Sequence, residues 1–216
     1  MKKYYAQRVD WSCSIRINSQ SELDVYLVHY RGRIFIDDES DDDIEAGTVE
    51  AIRVNIGNMP SFDLMDFYKA SVYEFYPVLF DPDSEYYRDE LVDGMGGSDL
   101  LIMERMEIHE QFRGYGLGKM VIDSTITSLG SSCAVIAMKI FPLQYVKKGM
   151  STESPEFTTI QNKMKKYWRT IGFEDVPGHK DFMYLDGSLV RPSANFDSFV
   201  PDVGSGAVIP FKKDDN

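Results

Sequence analysis

Apolar and polar positions change period several times along this chain. Over residues 9–17, Trp11, Cys13, Ile15 and Ile17 alternate with Ser12, Ser14 and Arg16, the period of a half-buried strand. Residues 23–30 and 33–37 continue in the same character and meet at Arg31-Gly32, which predicts a hairpin. Residues 46–56 resume the sheet before Gly57-Asn58-Met59-Pro60. A helical period then takes over. Leu64, Met65, Tyr68, Val72 and Phe75 share a face, with Ser61 as cap, Asp63 and Asp66 in the first turn and Pro77 as the stop. This aromatic-rich helix covers one face of the sheet; a roof over an acceptor pocket, built with Tyr68 and Tyr73, is compatible with that role. Residues 85–92 predict a further small helix, and Gly94, Gly96 and Gly97 release the chain into the next strand.

The organising stretch runs from Leu100 to Ala137. Residues 100–108 read as an interior strand, yet carry Glu104, Arg105 and Glu107. Residues 117–129 place Leu117, Met120, Val121, Ile122, Ile126 and Leu129 around most of a helix, leaving Lys119, Asp123 and Thr127 as one wet stripe. Residues 133–140 form a second apolar run, so the unit is strand, crossover helix and parallel strand. After Pro142, residues 143–159 are polar, contain Pro155 and hold no period, which predicts a lid, binding loop or mobile insertion over 142–159. Gln144, Tyr145 and the pair Lys147-Lys148 stand just beyond the strand, within reach of a ligand at its end. Residues 160–171 form the last helix, closed by Gly172, and residues 181–185 the last strand. The pattern predicts one α/β domain over residues 1–192, with a poorly patterned tail at 193–216.

Composition narrows the classes. A chain of 216 residues builds one substantial core. Its net charge of −12 argues against nonspecific nucleic-acid binding; it suits an amine-bearing partner, although solubility explains it equally well. No apolar run is long enough for a bilayer, and no hydrophobic signal core follows Met1-Lys2-Lys3, so the expectation is a cytoplasmic protein without a membrane partner. Cys13 and Cys133 each fall in a strand and read as reduced core thiols, a bridge between them being left open. The acidic run 37–43 lacks the glycine and the distal Glu of a calcium loop and reads as a solvated turn. His29 and His179 form no metal constellation with the cysteines at a recognisable spacing, so no metal is expected.

Arg113-Gly114-Tyr115-Gly116-Leu117-Gly118 joins the first strand of the unit to its helix. Alternate glycines bring backbone close to a ligand, the helix start offers amides without internal acceptors, and Arg113 adds a positive charge; together they suit a pyrophosphate. The turn is neither a P-loop, which needs Lys-Ser or Lys-Thr after the last glycine, nor in the GxGxxG order.

The run IHEQFRGYGLG followed by an apolar helix resembles the acyl-coenzyme A motif of the GCN5-related N-acetyltransferase (GNAT) superfamily, whose pattern Arg/Gln-x-x-Gly-x-Gly/Ala is filled by Arg113, Gly116 and Gly118. Residues 171–175, IGFED, resemble the end of that family's fourth helix and the start of the next strand, so the likeness covers roughly residues 100–185. The resemblance implies a mixed, splayed sheet flanked by helices. It also implies acetyl-CoA as co-substrate, its pyrophosphate on Arg113, Gly114, Tyr115, Gly116, Leu117 and Gly118 and its pantetheine arm along Met106 to Ile108. The implied reaction is direct ternary-complex transfer to a primary amine of a small molecule or protein. An acyl-CoA sensor without catalysis and, more weakly, a structural interaction protein are the alternatives, and a homodimer is left open. The family more often places its first two helices between its first two strands, whereas here several strands precede the clear helices.

Glu104 and Glu107 are the candidates for taking the amine's proton. Their odd separation puts them on opposite faces of a regular strand, with Glu104 sharing the face of Met106 and Ile108. Glu104 ranks first, against the alternative that it pairs with Arg53 across the sheet. Many members of the family carry a Tyr four residues before the Gly of Gly-Phe, to protonate the departing thiolate; here that residue is Trp168, which is no acid near neutral pH. Tyr167, about 100° around the helix, is the nearest substitute, and Tyr145 a second. Gln161 and Glu110 stand where the family often has Asn and Pro. His109 falls at the mouth of the turn and is not assigned as a base.

Overall fold

The computed structural model describes residues 5–13, 26–37, 43–58, 70–84, 86–92, 98–147 and 149–188. In chain order the described elements are β1 (Tyr5–Cys13), β2 (Leu27–Asp37), β3 (Ile44–Val54), α1 (Ala70–Tyr73), α2 (Tyr76–Leu79), β4 (Asp99–Ile108), α3 (Leu117–Leu129), β5 (Cys133–Lys139), α4 (Leu143–Val146), α5 (Pro155–Arg169), β6 (Glu174–Asp175) and β7 (Phe182–Asp186). The strands form one sheet in the order β1-β2-β3-β4-β5-β7-β6. Neighbours are antiparallel except β4 and β5, which are parallel and joined through α3 as the sequence predicts. The result is an α/β domain with a mixed, non-closed sheet flanked by helices.

Strand alternation divides the core in two. Leu101, Met103, Ile136 and Met138 point to one face, where they pack with Leu117, Val121, Ile122 and Ile126 of α3 and Trp168 of α5. Leu100, Ile102, Val135 and Ala137 point to the other and meet Val72, Phe75, Val78 and Leu79 around α1 and α2. Each large side chain so buried contributes about 1.5–3 kcal/mol. Among the described residues no helix is long and apolar enough to cross a membrane.

Four expectations are corrected. Arg31-Gly32 is not a hairpin: β2 runs through it, with Gly32 opposite Trp11 on β1 and Val49 on β3. A Cβ on Gly32 would lie 2.6 Å from Val9 Cγ1 and 2.8 Å from Val49 Cγ1, so the glycine is there because side chains of both flanking strands close over it. Residues 143–159 are not structureless: α4 takes the first four, and α5 begins at Pro155. The Ser154 Oγ accepts from the Phe157 N–H at 3.1 Å, and Pro155 at the first helical position needs no acceptor for an N–H it lacks. Helix α5 ends at Arg169, and Gly172 at φ +97° turns the chain behind it. Residues 86–92 hold no helix; Tyr87 bridges Phe80, their rings stacked at 4.4 Å, and the chain then turns, with the Leu91 N–H donating to the Arg88 carbonyl at 2.9 Å. Finally, both thiols are free, and Cys13 is exposed at the end of β1, so only Cys133 is a core thiol. The predicted cap at Ser61, Asp63, Asp66 and Tyr68, most of the acidic run, the glycines at 94–97 and the tail 193–216 lie outside the described residues.

Replacing Gly32 with Ala should lower stability by about 1–3 kcal/mol, the usual range for overpacking. A urea midpoint equal to the parent's would show that Val9 and Val49 yield without cost.

Candidate functional site

The parallel ladder of β4 and β5 begins at Asp99 and Cys133 and ends at Met103 and Met138. Beyond it β4 runs on to Ile108, paired with β3 alone among the described residues. The break has two causes. Ala51 faces Met103 and Glu50 faces Arg105, which leaves Glu104 as one extra residue in β4, a bulge that bends the strand. The end of β5 is drawn the other way: the Ile140 N–H donates to the Asp181 carbonyl at 2.7 Å, and the buried Gln161 Nε2 donates to the Ile140 carbonyl at 2.8 Å and to Asp181 Oδ1 at 3.0 Å. An edge of β4 from Glu104 to Ile108 therefore opens beside the end of β5. Apart from Asp99 at its start, the charges of β4, Glu104, Arg105 and Glu107, all lie in this stretch, past the last pairing with β5.

The bulge also reassigns faces. Met103, Met106 and Ile108 all reach the core beneath α3, although the first two are an odd three positions apart. Glu104, Arg105 and Glu107 turn to the opposite face: Arg105 lies across from Glu50 and bonds Glu107 at 2.9 Å, while Glu104 meets Ser71 of α1. The expectation that Glu104 shares a face with Met106 and Ile108, and that Glu104 and Glu107 are opposed, is overturned by that single residue.

On the Met106 face the glycine turn leads into α3. Gly114 and Gly116 have φ of +81° and +78°, Gly116 being the N-cap of the helix. Gly118 has a different reason: a Cβ there would lie 3.2 Å from Met106 Cε and 3.4 Å from both Trp168 Cη2 and Tyr167 Oη, so this glycine seats the helix against β4 and α5. Leu117 buries its side chain in the core and leaves only its backbone to the turn, and the half-buried Tyr115 packs against the same core. Arg113 is not a mobile charge. Its Nε donates to the Ile108 carbonyl at 2.8 Å and ties the turn to the end of β4.

Tyr167 reaches this turn. The Lys119 amide donates to its hydroxyl oxygen at 3.2 Å, and the Lys119 ammonium lies 4.6 Å from its ring centre. Burial pushes the phenol up to about 12, against a smaller opposing pull from that amide. Trp168 is buried in the core beside it.

On the opposite face Glu104 is 12% exposed in its side chain. Its Oε1 accepts from Ser71 Oγ at 3.2 Å, and its Oε2 lies 3.7 Å from His29 Nε2. The alternative partner Arg53 is engaged elsewhere, with Asp99 at 2.7 and 2.9 Å. Glu107 is held by Lys147 at 3.0 Å and by Arg105, which keep its carboxyl below the usual range; the same contact occupies Lys147. Gln144 and Tyr145 are half-buried on α4, and His109 is exposed at the start of the turn. Sequence reasoning missed His29 and Glu50. They stand on separate strands, and only the register of β2 on β3 and the bulge in β4 bring them to Glu104.

Tyr167 also fixes an alkaline limit. Below pH 10 the phenol is protonated in both folded and unfolded chains and its contribution is complete. Between pH 10 and about 12 the unfolded chain loses that proton first, so native stability falls as pH rises. Relative to Tyr167→Phe, the parent should lose about 2–3 kcal/mol across that window; parallel denaturation curves for the two proteins would refute the buried phenol.

Searches for relatives return no matching family model, no matching curated protein and no matching solved structure.

Proposed function

We propose that this chain is a GNAT-like N-acetyltransferase that passes an acetyl group from acetyl-CoA to a primary amine by direct transfer. The observation that carries the reading is the coincidence of two features at one end of β4: its edge is left without a β5 partner from Glu104 onward, and the next turn delivers Gly114, Gly116 and the start of a 13-residue helix. Backbone groups along an open strand edge suit the amides of a pantetheine arm, and a helix start behind it suits a pyrophosphate. With a thioester held beside β4, Met106 and Ile108 line the arm's face, while the acceptor approaches from the face of α1.

Glu104 is the residue best placed to receive the ammonium proton, since its carboxylate is largely shielded and is oriented by Ser71. The freed amine attacks the thioester carbon, the C–N bond forms, the C–S bond breaks and the thiolate leaves with a proton. A covalent cysteine carrier is disfavoured: burial pushes the Cys133 thiol up to about 11, so it stays protonated, and Cys13 is on the far edge strand β1.

One observation favours a second reading, an acyl-CoA-binding sensor that transfers nothing. The acid for the thiolate is the weak point, because Trp168 occupies the position the family often gives to Tyr, and burial pushes the Tyr167 phenol up to about 12, which makes it a reluctant donor.

Thiol release from acetyl-CoA with a panel of primary amines tests the proposal. Turnover should appear, and Glu104→Gln should lower it by about 10²–10⁴-fold, more at low pH than at high pH, where the amine loses its proton unaided. Calorimetric binding of acetyl-CoA without turnover would select the sensor; no binding by folded protein would end both readings.

A further inference from the structure

We propose that His29, Glu50 and Glu104 form a binding site for a divalent first-row transition ion, with zinc as its representative. The three residues stand on adjacent strands β2, β3 and β4 and turn to the same face of the sheet. His29 lies opposite Ile52 and Glu50 opposite Arg105; Glu104 is the bulge residue that the ladder leaves over. His29 Nε2 is 3.6 Å from Glu50 Oε2 and 3.7 Å from Glu104 Oε2, and one ligand atom from each residue lies within 4.8 Å of the other two.

Those distances discriminate between occupants. A protonated imidazole bound to a carboxylate closes to about 2.7–2.9 Å, and neither pair does. Three acceptors around a tetrahedral ammonium would stand about 4.7 Å apart for hydrogen bonds near 2.9 Å. Two donors each about 2.1 Å from a tetrahedral ion stand about 3.4 Å apart, which the two observed separations approach to within a few tenths. The Nε2 atom is inaccessible to solvent and has no hydrogen-bond partner among the described residues, so a ligand there completes it.

The outer contacts point the same way. Glu104 gives its Oε1 to Ser71 and turns its Oε2 to His29; Glu50 faces Arg31 with Oε1, at 3.8 Å, and turns its Oε2 inward. Such partners hold carboxylates in a ligating pose. Of the neighbouring described cations, Arg105 on this face is committed to Glu107, and Arg53 belongs to the other face with Val49 and Ala51, where it binds Asp99. An imidazole with two carboxylates suits zinc, manganese, cobalt or iron better than magnesium or calcium, and leaves coordination positions for water or a substrate atom. The glutamates bracket the histidine in space but lie 21 and 75 positions away in the chain, so no spacing motif announces the site.

The site stands independently of acetyl transfer. Where both hold, the ion draws on the same Glu104 carboxylate that would take the amine's proton, so saturating metal would slow transfer.

The test is calorimetric titration of the full chain, stripped with chelator, using zinc ion alone and without acetyl-CoA. One equivalent should bind with micromolar or tighter affinity, and His29→Gln and Glu50→Gln should each weaken it by about 100-fold or more, beyond the 10–100-fold typical of outer-shell changes, while His179→Gln leaves it unchanged. Cobalt should give ligand-field bands that zinc abolishes. Should either variant lose its fold, the His29 ring resonances of the unaltered protein serve instead and must shift stoichiometrically with zinc. Absence of saturable binding, binding that survives loss of His29, or a His29 ring blind to zinc would overturn the site while leaving the acetyl-CoA titration unaffected.

Discussion

Strand β4 has to be two things at once. From Asp99 to Met103 it is an interior strand, flanked by β3 and β5 and buried throughout; from Glu104 to Ile108 it is an edge facing β5 without pairing to it. A flat ladder gives no place for that change, because a strand that pairs well tends to go on pairing. The extra residue Glu104 supplies it, at the cost of an interrupted ladder and a bent strand. The open edge is then held by bonds outside the ladder. Arg113 takes the Ile108 carbonyl, and Gln161 fastens the end of β5 to Asp181.

The same extra residue sorts chemistry between the two faces. Met106 and Ile108 stay with the core below α3, where apolar burial and the glycine turn meet; Glu104, Arg105 and Glu107 go to the side of α1. Carboxylates taken out of water need partners, and each here has one within its own neighbourhood: Asp99 has Arg53, Glu107 has Arg105 and Lys147, and Glu104 has Ser71 with His29 beyond. A charged stretch inside a central strand is thus stable because it begins where the strand stops being central.

The strand, glycine turn, helix and parallel strand were legible because each has its own period and the punctuation between them is strong. The α/β domain followed from them, while the mixed sheet with helices on both sides was what the resemblance implied. What stayed hidden depends on neighbours distant in the chain. Gly32 looks like a turn residue, and only Val9 and Val49 closing over it make it a strand residue. Pro155 looks like a breaker, and only the Ser154 cap makes it a first helical residue. Alternation predicted the wrong face for Glu104 because a bulge leaves no composition signal of its own, and the meeting of His29, Glu50 and Glu104 rests on two registers as well as that bulge.

The neighbouring pair Tyr167 and Trp168 shows how one helical position redistributes roles at the turn. Trp168 takes the core-facing position, and its indole closes against the site where Gly118 has no side chain. Tyr167 is thereby carried to the start of α3, where its oxygen accepts from the Lys119 amide. That amide also donates to the Gly116 carbonyl at 3.0 Å, so the phenol oxygen is its second acceptor. A neutral phenol is a weaker acceptor than a phosphate oxygen, and burial keeps it from becoming a phenolate below about 12. The contact is therefore a shared one, between a neutral hydroxyl and an amide that already closes the first turn of α3. The hydroxyl keeps its proton and closes on Gly118 from α5 while Met106 closes on the same glycine from β4, so the absent side chain is what lets helix, strand and phenol meet at one point.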